Sequence, residues 1–350
     1  MALQSSGAIS LNNVNVELGN SGTAYITMGS AAVRGLFDVA SGAISLSDGY
    51  GKSDGLPEHT RGVFLGGVGT GNSRTNIMEY ITIASTGNTT DFGDLSGTRA
   101  NHAGGVSSGT RGVTAGGYHN NAVTNIIEYI TVASTGNATD FGDLLATYFL
   151  LAGCSSDTRG LFGGGVHSGP TNTIQYITIA STGNAIDFGD LVTSRVGHIG
   201  CASDTRGLFA GGSLGYTTWA SIDYVTIAST GNAADFGDLS VTMGNVGSCA
   251  SDTRGIFAGG YQDGSRGNII EYVTIASTGN STDFGDLSEA KHSVAGCASD
   301  TRGVLGGGNN SASPYLVNTI EYITIASTGN STDFGDLSEA KHSVAAVSGV

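Results

Sequence analysis

At 350 residues the chain is long enough for one large repeat domain, or a small module plus a domain, and its size demands neither disulfides nor metals. Its 58 glycines against 3 prolines, with 39% apolar residues, exclude collagen and disordered linker and point to many short strands joined by tight turns. A formal charge of −15, from 29 acidic and 14 basic residues, sets the surface against nucleic-acid phosphates and anionic headgroups, so no nucleic-acid partner is expected.

In chain order, the opening MALQSSGAISL lacks the basic start and apolar core of a secretory signal, and no apolar run approaches the length that spans a bilayer. The expectation is a soluble chain, made in a cytoplasm and not inserted in a membrane. Residues 1–51 alternate like short strands, in LNNVNVEL at 11–18 and GTAYITMG at 22–29, and carry GAISL at 7–11 and again at 42–46. They read as a small β module.

From Thr60 onward one unit repeats six times. TRG recurs at Thr60, Thr110, Thr158, Thr205, Thr253 and Thr301, at steps of 47 to 50 residues, the period of one four-stranded blade. Each copy then carries a Gly-Gly pair, a variable stretch, a Tyr in an Ile/Val-rich run, ASTGN and DFGDL. In the fourth copy RGLFAGG at 206–212 reads as a strand ending at glycines that supply positive φ or close backbone approach. The run SIDYVTIA at 221–228 is apolar on both faces, which suits a sheet covered on both sides. STGN at 229–232 is turn chemistry, residues 234–239 form a short outer strand, and residues 241–251 are small enough for the innermost strand. The first copy, residues 60–95, lacks an inner strand before it, whereas the last adds SEAKHSVAAVSGV at 338–350 after its DFGDL. That segment is predicted to complete the first copy's sheet and so remove open edges.

These residues resemble kelch repeats, including the galactose oxidase type, in which a basic residue and His, a Gly-Gly pair, Tyr and Trp follow in order. Here the order is Lys291-His292, Gly306-Gly307, Tyr322 and then Phe334 where Trp is usual, and the missing Trp in every copy marks an outlying subtype. The resemblance implies an all-β fold: a six-bladed β-propeller over residues 52–350, closed by its C-terminal strand and preceded by the small β module. A seventh blade from residues 1–59 is disfavoured because they hold neither TRG nor DFGDL. The strings SSGAISLNNVNVELG and AAVRGLFDVASGAISLSDGYGKS look like the N-terminal segment of structural proteins of tailed bacteriophages, especially marine ones. That second resemblance implies a virion protein made in the host cytoplasm, whose N-terminal module docks to other virion or tail proteins and carries a replaceable head.

Catalytic and metal chemistry find little in the pattern. Cys154, Cys201, Cys249 and Cys297 recur at one inner-strand position where Val106 and Val347 stand in the other copies, so they read as apolar filler rather than disulfides or metal ligands. The DFGDL carboxylates, such as Asp235 and Asp238 beside Arg206, recur six times, whereas a catalytic pair is needed once; a repeated Arg–Asp network with turn hydrogen bonds is expected, with calcium as the alternative. No copper cluster of Tyr, His and Cys-modified Tyr is found, nor a sialidase box, since SDTRGLF at 203–209 fails its spacing. His102, His198, His292 and His342 sit at shifting registers and read as structural or channel-facing. Asn88, Asn137, Asn280 and Asn330 begin sequons but read as turn residues. The expectation is no enzyme activity, no cofactor and no metal.

Variation follows topology. A four-stranded meander sends its first–second and third–fourth turns to one end, and these are nearly constant; its second–third and fourth–first connections go to the other, and these differ in every copy. The diverse end carries Tyr118, His119, Tyr148, His167, Tyr216, the sole Trp219, Tyr261 and Tyr315, suited to stacking and hydrogen bonding with a host-surface glycan or protein. Unconstrained drift of exposed loops is the alternative reading of the same variation. The leading expectation is a non-enzymatic tail or tail-fibre protein with a receptor-binding loop face, which as a fibre component would favour a homotrimer. A structural decoration or cement protein is the second reading, and a carbohydrate-active enzyme the third.

Overall fold

The structure, a computed structural model, describes residues 60–100, 104–215, 217–312 and 315–349. The module expected over residues 1–51 lies outside them. The described chain is all-β, built on six antiparallel sheets numbered by their second strands, Arg61–Leu65, Arg111–Ala115, Arg159–Gly163, Arg206–Ala210, Arg254–Ala258 and Arg302–Gly306; sheets 2 to 6 have four strands each, and sheet 1 has six because the short strands Tyr118–His119 and Ala122–Val123 pair on beyond its fourth. Sheet 3 shows the pattern, with Ala152–Ser155, Arg159–Gly163, Thr173–Thr178 and Ile186–Asp190 adjacent in that order. Sheet 1 takes its first strand from the other end of the chain: Ala345–Gly349 pairs antiparallel with Arg61–Leu65, Arg61 opposite Gly349 and Leu65 opposite Ala345. Thr75–Thr82 and Thr90–Ala100 follow in it.

The third strands hold apolar residues on both faces because each sheet is covered on both sides. Six clusters of buried side chains each join two neighbouring sheets: Phe141 and Ile127 of sheet 2 meet Phe162 and Ile177 of sheet 3, for example. Phe334 and Val304 of sheet 6 likewise meet Phe64 and Ile81 of sheet 1, and Val63 and Phe92 of sheet 1 meet Ile130 and Val132 of sheet 2. First strands also pack on first strands, Ala152–Ser155 on Ile199–Ala202 and Ala295–Ala298 on Ala345–Gly349.

Two repeated motifs are explained by these junctions. In DFGD the register slips, Ile174 facing Gly189 and Gln175 facing Asp187, so Phe188 is the extra residue of a bulge and enters the core. Gly189 has φ +147°, and a Cβ there would overlap the Gly231 carbonyl of the next sheet's STGN turn. That turn is bound to the bulge by three hydrogen bonds: the amides of Gly231 and Ala233 donate to the Phe188 and Asp190 carbonyls, and the Asp190 amide donates to Asn232 Oδ1. The set recurs at the junction of sheets 6 and 1, through Phe334, Asp336, Gly87, Asn88 and Thr89. The sequon asparagines are thus acceptors for a neighbouring sheet.

In TRG the glycine makes room for its neighbour. The Sγ atoms of Cys154, Cys201, Cys249 and Cys297 press on Gly207, Gly255, Gly303 and Gly62, and Val106 and Val347 fill the same place against Gly160 and Gly112. The arginine corrects the sequence expectation. Instead of pairing with the DFGD carboxylates, Arg206 lies 4.6 Å from the centroid of the Tyr224 ring and its Nη1 donates to the Ile275 carbonyl of the next sheet at 2.9 Å. All six TRG arginines do the same, at 4.3 to 4.7 Å and 2.8 to 3.0 Å.

A second correction concerns the inner strand expected over residues 241–251. Asn245 sits at φ +52° and breaks it, so Gly247–Ala250 joins sheet 5 while Met243–Gly244 pairs with Tyr261–Gln262 in a separate small sheet.

Candidate functional site

The second strand of each sheet ends at a Gly-Gly pair with positive φ at both residues, as at Gly116 (+65°) and Gly117 (+83°) or Gly259 (+66°) and Gly260 (+93°). The conformation turns the chain out of the sheet into a short hairpin. Hairpins are present in all six sheets, although their sequences share nothing: Val68 pairs with Arg74, Tyr118 with Val123, Val166 with Pro170, Ser213 with Thr218, Tyr261 with Arg266 and Asn309 with Leu316. In sheets 2 and 5 the turns are Asn120-Asn121 (φ +48°, +70°) and Asp263-Gly264 (φ +47°, +84°), the two-residue left-handed loops that favour these residues.

Each hairpin root carries the same backbone hydrogen bonds, to which side chains add donors at some, Gln262 Nε2 to the Gly259 and Ile269 carbonyls and Arg195 Nη1 to those of Gly211 and Ser221. In sheet 2 the Gly117 amide donates to Tyr148 O, the Thr124 amide to Gly117 O and the Tyr148 amide to Thr124 O. In sheet 5 the same bonds join Gly260, Gly267 and Lys291. A further clamp comes from the connection leaving the preceding sheet, Ala100 facing Tyr118, Phe149 facing Val166, Val196 facing Ser213, Gly244 facing Tyr261, His292 facing Asn309 and His342 facing Val68. The two variable connections therefore form one continuous, hydrogen-bonded face.

Of the residues expected on that face, Tyr118 and His119 are half-buried; Arg74 reaches from sheet 1, its guanidinium 4.7 Å from the Tyr118 centroid and its Nη1 donating to Asn121 Oδ1 at 2.6 Å. Phe149 lies against the same ring at 5.2 Å. Tyr148 is buried, 6% exposed, and packs on exposed His167 at 5.3 Å. Tyr261 stacks on His292 at 4.3 Å, and Arg266 bridges to Asn309 Oδ1 at 2.9 Å. Trp219 is half-buried at a root position, its amide donating to Gly212 O and its carbonyl accepting from Met243. Tyr315, 54% exposed, stands free at a hairpin tip, and Tyr216 and His102 lie outside the described residues. The structure therefore sets Tyr118, His167 and Tyr261 against rings of the fourth–first connections, Phe149, Tyr148 and His292, and leaves His167 and Tyr315 as the exposed rings. Burial, with Arg266 and His342 nearby, lowers the His292 pKa to about 4, and burial with Arg99 nearby lowers that of His119, with Glu128 opposing. Both imidazoles are neutral donors and acceptors at pH 7.

Beneath the face lies a layer of buried ion pairs that the sequence reading missed. Arg99 Nη2 is 2.7 Å from Glu128 Oε2, Arg195 Nη2 2.5 Å from Asp223 Oδ2 and Lys291 Nζ 2.6 Å from Glu321 Oε2, and Lys341 pairs with Glu79. Each pair joins a fourth–first connection to the third strand of the next sheet. At the two remaining junctions Tyr148 and Met243 occupy the cation's place, opposite Gln175 and Glu271. Gln175 is neutral; Glu271 is a buried carboxylate held by the Ser240 amide, Ser240 Oγ and Ser281 Oγ. The acid that precedes the Tyr in five of the six third strands, Glu79, Glu128, Asp223, Glu271 and Glu321, was the available signal.

At the opposite end the first–second turns are closed by serine, Ser203 Oγ accepting from the Arg206 amide and Ser251 Oγ from that of Arg254, each at 3.3 Å. A cavity of about 190 Å³ runs between the first strands and is lined at this end by Asp157, Asp204, Asp252 and Asp300. Burial, with Asp252 and Asp157 nearby, raises the Asp204 pKa to about 6. Among the described residues no group of three or more His, Cys, Asp or Glu is placed to hold a metal ion. No protein-family model matches the chain, and no curated protein does.

Proposed function

We propose that residues 52–350 form a six-bladed kelch-like β-propeller, and that the chain is a non-enzymatic virion protein of a tailed bacteriophage, a tail or tail-fibre component whose hairpin face binds a host-surface glycan or protein. The propeller is supported by the neighbour contacts described above, in which sheet 6 meets sheet 1 through the same bulge-to-turn bonds that join sheets 3 and 4. The phage assignment rests on the N-terminal strings, with residues 1–51 as the docking module toward other virion proteins and a homotrimer as the fibre assembly.

The observation that carries the binding reading is the contrast between the two ends. Six hairpins of unrelated sequence stand on one backbone frame at one end, while the STGN turns and serine-closed turns repeat at the other. The described chain also enters sheet 1 at Thr60 and leaves it at Gly349 beside the constant turns, so neither strand crosses the variable face. The test is binding of the labelled full-length chain to a glycan array and to a panel of marine bacterial isolates, alongside Tyr315→Ala and His167→Ala, which remove the exposed rings. Selective binding that these substitutions weaken supports host recognition. A folded chain that binds no cell and no glycan, yet sediments with purified virions, favours the decoration reading, for which the repeated turns of the constant end would be the contact.

A further inference from the structure

Where the fourth–first connections run into first strands, one residue takes a left-handed conformation: Leu150 (φ +57°), Gly197 (φ +61°), Asn245 (φ +52°), Ser293 (φ +57°) and Ser343 (φ +52°). Each directly follows a residue that clamps a hairpin, Phe149, Val196, Gly244, His292 and His342 in turn, so the five stand at the variable end. Their main-chain groups bond to one another, the Asn245 amide donating to Gly197 O, that of Ser293 to Asn245 O and that of Ser343 to Ser293 O. Gly197 shows that this frame needs no side chain, and glycine takes the conformation without the clash that Leu, Asn or Ser meets. Among the described residues, the other non-glycine residues at positive φ are Asn72, Asn120, Asn121, Asp263 and Tyr315, all in hairpins. Side chains kept at strained positions where glycine would serve point to a use for those side chains.

All five line one cavity of about 80 Å³, framed by the starts of the six first strands. It is far smaller than the roughly 300–1,000 Å³ that encloses a whole ligand, so it admits a terminal group and not a sugar ring. Leu150 and Leu151 make one wall apolar, and Asn245, Ser293 and Ser343 make another polar. The Asn245 side-chain amide makes no hydrogen bond to another described residue. Ser293 Oγ and Ser343 Oγ each meet Nδ1 of the preceding histidine at 2.9 Å, and each keeps the capacity to accept a further hydrogen bond. Of the lining side chains only His198 can carry charge; burial, with Arg195 nearby, lowers its pKa to about 3, and the cavity is neutral at pH 7. A carboxylate, sulfate or ammonium group would enter it unpaired, at the cost of its hydration. A hydroxymethyl arm would satisfy the polar wall and leave the leucines against water. We infer that the cavity takes the acetamido group of an N-acetylhexosamine at the end of a host-surface glycan: Asn245 Nδ2 donates to the acetamido carbonyl, a serine hydroxyl accepts from its N–H, and its methyl packs on Leu150 and Leu151. The inference deepens the host-recognition reading by naming the sugar, and rests on it.

The experiment compares the full-length parent with Asn245→Gly and Leu150→Gly, each of which keeps the left-handed backbone and removes one wall of the cavity. The array pairs glycans ending in N-acetylglucosamine or N-acetylgalactosamine with the same glycans ending in the plain hexose or the free-amine hexosamine, and host cells are tested alongside. Relief of the clash offsets the extra freedom of the unfolded chain, so the thermal midpoint of each variant should move by no more than about 2 °C. The parent should prefer the acetylated member of each set by about tenfold or more, and both variants should lose that preference. If one variant fails to fold, the other decides; if both fail, the side chains hold the frame and the inference falls. A parent that binds glycans without regard to the acetyl group, or folded variants that keep the parent's preference, would overturn it and leave host recognition standing. So would a parent that binds host cells but no glycan on the array. A parent that binds neither cells nor glycans removes the host-recognition reading and this inference with it.

Discussion

Replacing Lys341 by Met tests the buried ion-pair layer at the junction where the two ends of the described chain meet. The Lys341 ammonium and the Glu79 carboxylate are 0% and 1% exposed, and Glu79 also accepts from the Ser338 amide and from Thr89 Oγ1. Burial raises the Glu79 pKa, but Lys341 and these hydrogen bonds outweigh it and hold the group below its ordinary value. Removing one partner of such a pair leaves an uncompensated buried charge and costs about 3–5 kcal/mol. With an unfolding entropy of about 2.1 cal/mol/K per residue, a unit of this size should lose roughly 5–8 °C in Tm. The neutral junction of Tyr148 and Gln175 supplies the control: Lys341→Met with Glu79→Gln should recover most of the loss, giving a coupling energy of at least 2 kcal/mol in a double-mutant cycle. Thermal unfolding of the four proteins at pH 7 is sufficient. A Lys341→Met midpoint within 1 °C of the parent, or additive single and double effects, would refute the reasoning.

The remaining predictions concern other buried groups. Met243→Lys should supply the cation that Glu271 lacks and raise the midpoint; the gain should vanish in a Glu271→Gln background, and a gain that persists there would mean packing rather than charge is responsible. For Asp204, the folded pKa of about 6 lies above the ordinary carboxylate value, so the folded state holds the proton more tightly and stability falls as pH rises from about 4 to 6, then levels. Asp204→Asn should therefore stabilise at pH 7.5 but not at pH 4, as read by denaturant midpoints, and equal effects at both pH values would exclude a carboxyl raised by burial and its neighbouring aspartates. Cys154→Val should change stability by less than about 1.5 kcal/mol, because valine already fills this position at Val106 and Val347; a larger loss in urea unfolding would show a role for the thiol.

The repeat unit was legible because its residues are dictated by local geometry that six copies must satisfy. Gly189 is needed at positive φ against another backbone, Asn232 as an acceptor for the neighbouring sheet, and Ile177 inside a covered strand, and each leaves a periodic mark. The pairing of residues 345–349 with the first sheet followed from counting strands. The Arg206–Asp pairing failed because opposite charges within one repeat said nothing of the Tyr224 ring and the Ile275 carbonyl, which lie across the sheet and in the next sheet. The ion pairs were missed for a related reason: Arg99 and Glu128 are 29 residues apart and belong to different sheets. The hairpins were read as loops because their order resides in main-chain hydrogen bonds, to which sequence variation is blind. The aromatic pairings, such as Tyr148 with His167, depend on a hairpin packing against a fourth–first connection and were equally invisible.

The pairing of Arg61–Leu65 with Ala345–Gly349 imposes a timetable on synthesis. The strand that is translated first among the described sheets waits for a partner encoded 284 residues later, an interval of about 14–57 s at 5–20 residues per second. Throughout it, one side of Arg61–Leu65, whose residues from Gly62 to Leu65 are all buried in the finished fold, has no strand to pair with. Ribosome pausing, chaperone occupancy and aggregation should all concentrate in that window, and a chain cut short by its last few residues should resemble the waiting state rather than a slightly smaller protein.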